Sequence, residues 1–405
     1  MVVLSRIVVA SSGTLIVLIT SRLLGPTGRG TFAAMQAAAL LIGTAVSFSM
    51  WLGVSVRIAK SRETANQALP FALLASICSV PLLVGLAFAS LPSSSSSLAA
   101  RLTVAAAAMA IMVYSIIQGI PIGLGRMRDY SRADIIRGAA TVVLICCCLA
   151  FTRSTVALTA MIGAGYVVAT LVLVAIVPIG PRTRRPSWRA FSWPTFLDSA
   201  RVHPANIIGL AVFRLDIIVM AVISTKANVA VYSLASAFAE GVWLVPAAIG
   251  VIGFSDVARA STHEARRLTI LGLKRALVFG TGTALAIGGV ATLAVPLLLS
   301  KAYGHAILPL WISLAGAVVY SICQATAPFI MIGLGRRLLM TLITAATLVI
   351  NIGLLLVLGP KYGAVGASTA SSIAYATAGV LVLGLFVAVD RSRTTGSNRA
   401  PTARR

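Results

Sequence analysis

The stretch YSIIQGIPIGLGR, Tyr114–Arg126, returns later in the chain as YSICQATAPFIMIGLGR, Tyr320–Arg336. The pentapeptide Ile122–Arg126 recurs unchanged as Ile332–Arg336, and a Tyr-Ser-Ile-x-Gln motif stands upstream of each copy. The gap between the two motifs is four residues longer in the second copy, about one helical turn. Each copy closes an apolar run long enough to cross a bilayer, and the same number of such runs lies in each half. The pattern reads as a duplicated bundle with its orientation kept. Its halves are expected to be related by an axis along the membrane normal.

Working outward from the two copies, apolar runs of roughly 20 residues fill the chain, the length that crosses about 30 Å of hydrocarbon. In the first half they are Arg6–Leu24, Thr31–Val56, Gln67–Leu91, Leu98–Leu124, Ile136–Phe151 and Thr155–Ile179. In the second half they are Ala205–Ser224, Val229–Phe254, Leu273–Leu299, Ala306–Leu334, Leu338–Leu358 and Gly363–Ala388. The expected fold class is all-α: a polytopic membrane protein of about 12 transmembrane helices in two six-helix lobes. The lobes are residues 1–179 and 205–389, with a basic linker at 180–204 and a disordered basic tail at 390–405. Of the 405 residues, 59% are hydrophobic and 10% charged, with a mean hydropathy of +0.99. A soluble domain is nearer half apolar and a quarter charged, so a water-soluble protein is excluded. The first run is long enough to stay as a span and does not read as a cleavable leader.

The net charge of +24 would suggest nucleic acid in a soluble protein. Here the cations sit in short loops, with no basic domain outside the membrane and no interleaved stacking residues. No nucleic-acid partner is expected. The charge is instead the excess of Lys and Arg that marks cytoplasmic loops. Loops on the N-terminal side hold 25 of the 33 cations and the opposite side holds 7, leaving Arg214 inside a span. Both termini and the linker are therefore expected in the cytoplasm, in a multi-pass protein of the cell membrane. The linker carries Trp188 and Trp193 among arginines and prolines, which suits an interfacial amphipathic segment on anionic membrane lipid. A dedicated partner site is the other reading of that segment.

Enzyme motifs are absent. His203, His263 and His305 are the only histidines, with no HExxH, no GxSxG elbow and no Walker A sequence. No cofactor is implied. Cys78, Cys146, Cys147, Cys148 and Cys323 all lie in apolar runs, without metal-ligand spacing or a disulfide framework, and read as small packing residues. The five-serine run within Pro92–Ser97 reads as a solvated turn.

What remains is a small set of charges in hydrocarbon, where an ionisable group is normally paired or turned to a water-filled cavity. Arg214 and Asp216 fall about 14–17 Å along the seventh span, and Glu240 at similar depth in the eighth. At about 100° per residue Arg214 and Asp216 point about 200° apart, so one can pair with Glu240 while the other faces a different surface. A locked ion pair between two helices and a role in holding substrate or a coupling ion both fit these residues. Arg22, Arg29 and Arg101 are the other cations nearest the membrane outside the cytoplasmic loops. Pro121, Pro246, Pro296, Pro309 and Pro328 interrupt apolar runs, each freeing a carbonyl where a helix can bend.

The segment Ser21-Arg22-Leu23-Leu24-Gly25-Pro26-Thr27-Gly28-Arg29-Gly30-Thr31-Phe32 resembles the junction of the first two spans in the polysaccharide flippases. These are the O-antigen and exopolysaccharide branch of the superfamily that also holds the MATE drug exporters. The resemblance continues at Arg214-Leu215-Asp216-Ile217-Ile218, at Ala230–Ala235, and at Lys361-Tyr362-Gly363-Ala364-Val365-Gly366-Ala367-Ser368. Ala230 stands where that branch usually has glycine, and Ser255 where a proline often ends the eighth span. The resemblance implies two lobes around a cavity that opens alternately to each side, and a polyprenyl-pyrophosphate-linked oligosaccharide as cargo. Arg22, Arg29, Arg101 and Arg214 would then meet the anionic head group, although Arg22 and Arg29 also fit as interfacial anchors at the outer surface. Two other functions fit the sequence. One is an ion-coupled exporter of small cationic compounds, which favours acids over arginines in its cavity. The other is a non-transporting scaffold for polysaccharide synthesis proteins.

Overall fold

A computed structural model describes residues 2–60, 65–91, 97–177, 188–244, 246–247, 249, 253, 257, 259–299 and 301–397. The expected turn at Pro92–Ser97 lies outside the described residues except for Ser97. Helices follow one another in the order α1 (Val2–Val46), α2 (Met50–Lys60), α3 (Ala65–Ser90), α4 (Leu98–Ile117), α5 (Gly119–Gly123), α6 (Met127–Phe151) and α7 (Thr155–Ile176). Then come α8 (Trp188–Ala200), α9 (His203–Ile223), α10 (Lys226–Gly241), α11 (Thr262–Leu298), α12 (Ile307–Pro328) and α13 (Arg337–Ser397).

Among the described residues, nine helices are long and apolar enough to cross a membrane. Two of them are double. α1 breaks at Gly25, just before Pro26, and α13 breaks at Gly363, just after Pro360. With α10, whose continuation is described only in part, these make the twelve expected spans. α4 packs against α1, α3 and α7, and α12 packs against α10, α11 and α13. These two are the most enclosed spans, one at the centre of each lobe. The lobes meet where α1 lies along α9 and α10.

Local chemistry fixes the ends of these helices. Ser97, Ser154, Thr225 and Ser261 each accept a hydrogen bond from the backbone N–H three residues on, satisfying a donor that the first turn leaves free. The repeated pentapeptide turns out to be a helix terminator. Gly125 and Gly335 have φ of 71° and 67°, the left-handed conformation that glycine adopts without penalty. The Arg126 N–H then bonds back to the Pro121 carbonyl at 2.8 Å, and the Arg336 N–H to the Ile330 carbonyl at 3.0 Å. Both copies thus close their helix by the same glycine-centred cap. A π turn over Phe329–Gly333 absorbs part of the extra length in the second copy. The repeated tyrosine is used alike as well: Tyr114 packs on Tyr166 of α7 at 5.5 Å, and Tyr320 on Tyr375 of α13 at 5.0 Å.

Several expected boundaries move. The fifth span begins at Met127 and not Ile136, because Asp129 and Asp134 pair with nearby arginines and let a polar turn stay helical. The ninth begins at Thr262, where Ser261 caps it. The second span is broken at residues 47–49 between α1 and α2. The linker is not a plain loop, since α8 occupies residues 188–200. The tail is helical as far as Ser397, as a continuation of the last span.

Candidate functional site

The seam between the lobes encloses a cavity of about 450 Å³. Both arms of α1 line it, together with α6, α7, α9 and α10. Its charged residues are Arg6, Arg29, Arg137 and Arg214, against the single carboxylate of Glu240. Exposed Arg6 marks its open end. At the other end Arg29 is only 2% exposed. There α1 touches the start of α10 so closely that a Cβ on Gly30 would sit 1.8 Å from the Lys226 carbonyl oxygen.

Each arginine is held differently. Arg214 forms a two-pronged ion pair with Glu240, Nη1 to Oε1 and Nη2 to Oε2, the latter at 2.9 Å. This is the strong parallel geometry of guanidinium and carboxylate, and it ties α9 to α10. Arg137 is bound to Asp134 Oδ1 through Nε at 3.0 Å and Nη2 at 2.8 Å. Its guanidinium also lies 4.8 Å from the ring centre of Tyr166, a favourable cation–π contact. Arg6 donates to the Tyr130 hydroxyl at 3.2 Å. Arg29 has the face of Phe32 at 5.6 Å. Its Nε and Nη1 are buried with no hydrogen-bond partner among the described residues. An aromatic group made by Phe213, Trp243, Tyr320 and Tyr375 stands beside Arg214, with Phe213 and Trp243 rings 4.8 Å apart.

Asp216 points away from this cavity, as the helical spacing requires. Its Oδ1 accepts the Ile217 N–H at 2.7 Å and its Oδ2 accepts the Tyr232 hydroxyl. The Tyr232 hydroxyl also lies 2.7 Å from that of Ser371, which in turn lies 3.3 Å from the Asn351 Oδ1. Asp216 is 1% exposed within this polar network of the second lobe. Arg22 is exposed, and Arg101 is half-buried over the Phe88 ring at 4.9 Å; neither lines the cavity. Arg29 is no surface anchor: its burial overturns that reading. Of the six residues singled out in the sequence, the cavity brings together Arg29, Arg214 and Glu240.

Two cavity arginines escaped the sequence reading, because Arg6 and Arg137 were counted among cytoplasmic loop cations. The signal was present for Arg137. Asp134 stands three residues before it, a spacing that brings the two side chains together on one helix face. Among the described residues no group of three or more His, Cys, Asp or Glu is placed to hold a metal ion.

No family model matches the chain, and no curated protein matches it either. Solved structures do. An inward-facing multidrug resistance MATE family transporter of the MOP superfamily is similar at a TM-score of 0.72 and 16% identity, over 97% of this chain and 96% of that one. The eukaryotic MATE transporter AtDTX14 is similar at 0.62 and 13%, over 95% and 94%. A MOP superfamily transporter from Pyrococcus furiosus, described as having a binding pocket of reverse polarity, is similar at 0.51 and 16%, over 98% and 96%. The chain therefore has the fold of these transporters along its whole length.

Proposed function

We propose that this protein moves a polyprenyl-pyrophosphate-linked oligosaccharide across the cell membrane by alternating access, for the assembly of a surface polysaccharide. The observation that carries the reading is the sign of the cavity. Four arginines face the space; Glu240 is bound to Arg214 and Asp134 to Arg137, which leaves Arg6 and Arg29 with no carboxylate partner among the described residues. Such a cavity attracts a pyrophosphate and repels a small organic cation. A head group can reach the arginines of the cavity while the prenyl tail stays in the bilayer. The fold supplies two lobes that can rock about the seam. Both termini and the linker then face the cytoplasm, where substrate is loaded from the open end at Arg6.

The multidrug reading has the fold likeness behind it, and it requires cation binding in a cavity that carries an excess of arginine. Reconstituted proteoliposomes distinguish the two. A fluorescent lipid-linked sugar placed in one leaflet should reach the other only in vesicles that contain the protein. Uptake of a cationic dye without movement of the lipid-linked sugar would overturn the proposal in favour of drug export. Movement of neither would favour the scaffold.

A further inference from the structure

The second span contains a break that its own sequence does not explain. Phe48 and Ser49 have φ of 50° and 53°, left-handed backbone that costs a residue with a side chain roughly 1–2 kcal/mol each. What holds them there comes from elsewhere in the chain. The Phe48 ring stacks on His203 at 4.4 Å and on Phe196 of α8 at 5.3 Å. The Ser49 hydroxyl lies 3.2 Å from His203 Nδ1 and accepts a hydrogen bond from Asn206 at 3.0 Å. So α8 and the first turn of α9 clasp the break from the far side of the linker.

α8 is itself bolted to α2. A Cβ on Gly53 would lie 2.2 Å from the Thr195 carbonyl oxygen and 2.4 Å from the Ser199 hydroxyl, a close approach that only glycine permits. Arg57 pairs with Asp198 at 3.4 Å. Thr195 and Ser199 are fully buried in this contact, while Trp193 is 62% exposed and Leu197 40%. The Arg201 side chain, one turn further on, is 79% exposed. Steps of four residues put these three on one stripe, opposite the docked face. No other part of the described structure covers it. The stripe is aromatic, aliphatic and basic in order, and Arg182, Arg184 and Arg185 precede it in the sequence. The helix also runs between the ends of two membrane spans, α7 and α9. That combination is the chemistry of a helix lying at a headgroup layer that carries negative charge.

We propose that α8 docks its Trp193–Leu197–Arg201 stripe on the anionic surface of the bilayer, so that lipid headgroups hold the strap that clasps the break at Phe48–Ser49. The proposal depends on the membrane architecture and is independent of the cargo. The test uses the full chain with its five cysteines replaced by serine and Leu197→Cys carrying an environment-sensitive fluorophore. It is placed in nanodiscs of phosphatidylcholine alone or with phosphatidylglycerol. A blue-shifted emission is expected in anionic discs, with quenching by neutral acrylamide several-fold weaker there than in phosphatidylcholine. Replacing Arg182, Arg184, Arg185 and Arg201 with Gln should remove the difference between the lipids. Amide exchange at residues 47–50 should be slower in anionic discs for the arginine-bearing protein alone. Equal quenching in both lipids would overturn the proposal, whether the label is protected or not. So would disulfide-linked dimers of the unlabelled Leu197→Cys protein, which would mean that a second copy covers the stripe.

Discussion

Replacing Arg214 by Met should leave Glu240 stranded, and the cost can be worked from its surroundings. Breaking a fully buried ion pair by removing one partner costs about 3–5 kcal/mol, because an uncompensated charge remains. A fully exposed pair is worth about 0–1 kcal/mol. The two side chains here keep 24% and 31% of their exposure, on the cavity side, so water reaches the pair but does not surround it. A loss of about 2 kcal/mol follows for Arg214→Met, intermediate between those limits. Glu240→Gln should cost no more, since the Phe213 carbonyl still accepts from Arg214 at 3.0 Å. The double variant Arg214→Met with Glu240→Leu removes both charges and should recover most of the stability. Thermal unfolding of the purified protein in detergent reads the three values, and movement of a lipid-linked sugar in proteoliposomes reads function. If Arg214 meets the head group, the double variant is well folded and inactive. A double variant that is stable and fully active refutes the role in transport and leaves the pair as a link between α9 and α10. A single variant as stable as the parent refutes the energetic argument.

Arg29→Met should behave in the opposite way, because it removes a buried guanidinium that lacks a full set of partners. Stability is expected to be unchanged or to rise by about 1–2 kcal/mol, while transport of an anionic cargo falls; a destabilised variant would show that Arg29 has structural partners. Tyr232→Phe takes a hydrogen bond from buried Asp216 and should cost about 1–3 kcal/mol in thermal unfolding. For topology, a cysteine-free background with Ser94→Cys should react with an impermeant reagent on intact cells, and Ser187→Cys should be protected. The reverse pattern would invert the assigned orientation.

The architecture was legible because membrane folding rests on long-range regularities. The length of an apolar run is set by the thickness of the bilayer. A motif such as Ile122–Arg126 repeats because the same helix end has to be made twice. The pairing at Glu240 was legible for a related reason: with two residues two positions apart, only one can face the neighbouring helix. The choice of Arg214 over Asp216 follows from charge, since two carboxylates repel; which surface Asp216 meets instead was not legible, because it depends on the relative rotation of α9 and α10. Side-chain packing decides that rotation, and the hydrophobic pattern leaves it open.

Arg137 shows where the regularities mislead. A count of cations by loop assumes that a helix begins where the apolar residues begin. α6 instead starts at Met127, with a polar first stretch in which Arg126 pairs with Asp129 at 2.5 Å and Arg137 with Asp134 at 2.8 Å. Those local pairs lower the cost of carrying arginines along a helix that reaches toward the bilayer interior. Moving Arg137 from the loop count to the cavity wall leaves the cation asymmetry intact, because the cytoplasmic excess is large. It does change the chemistry of the site. The first lobe then presents Arg6, Arg29 and Arg137 to the seam, against Arg214 from the second, and only Arg214 has a carboxylate within the cavity. With Arg137 bound to Asp134, a pyrophosphate of the proposed cargo would meet positive charge mainly at Arg6 and Arg29, on one wall. Under the proposed function the head group would be held mainly by the first lobe, next to the point where α10 meets Gly30 and closes the far end. That closing contact joins the two lobes, Gly30 of the first against Lys226 of the second, so a rocking motion at the seam would part it directly beside Arg29.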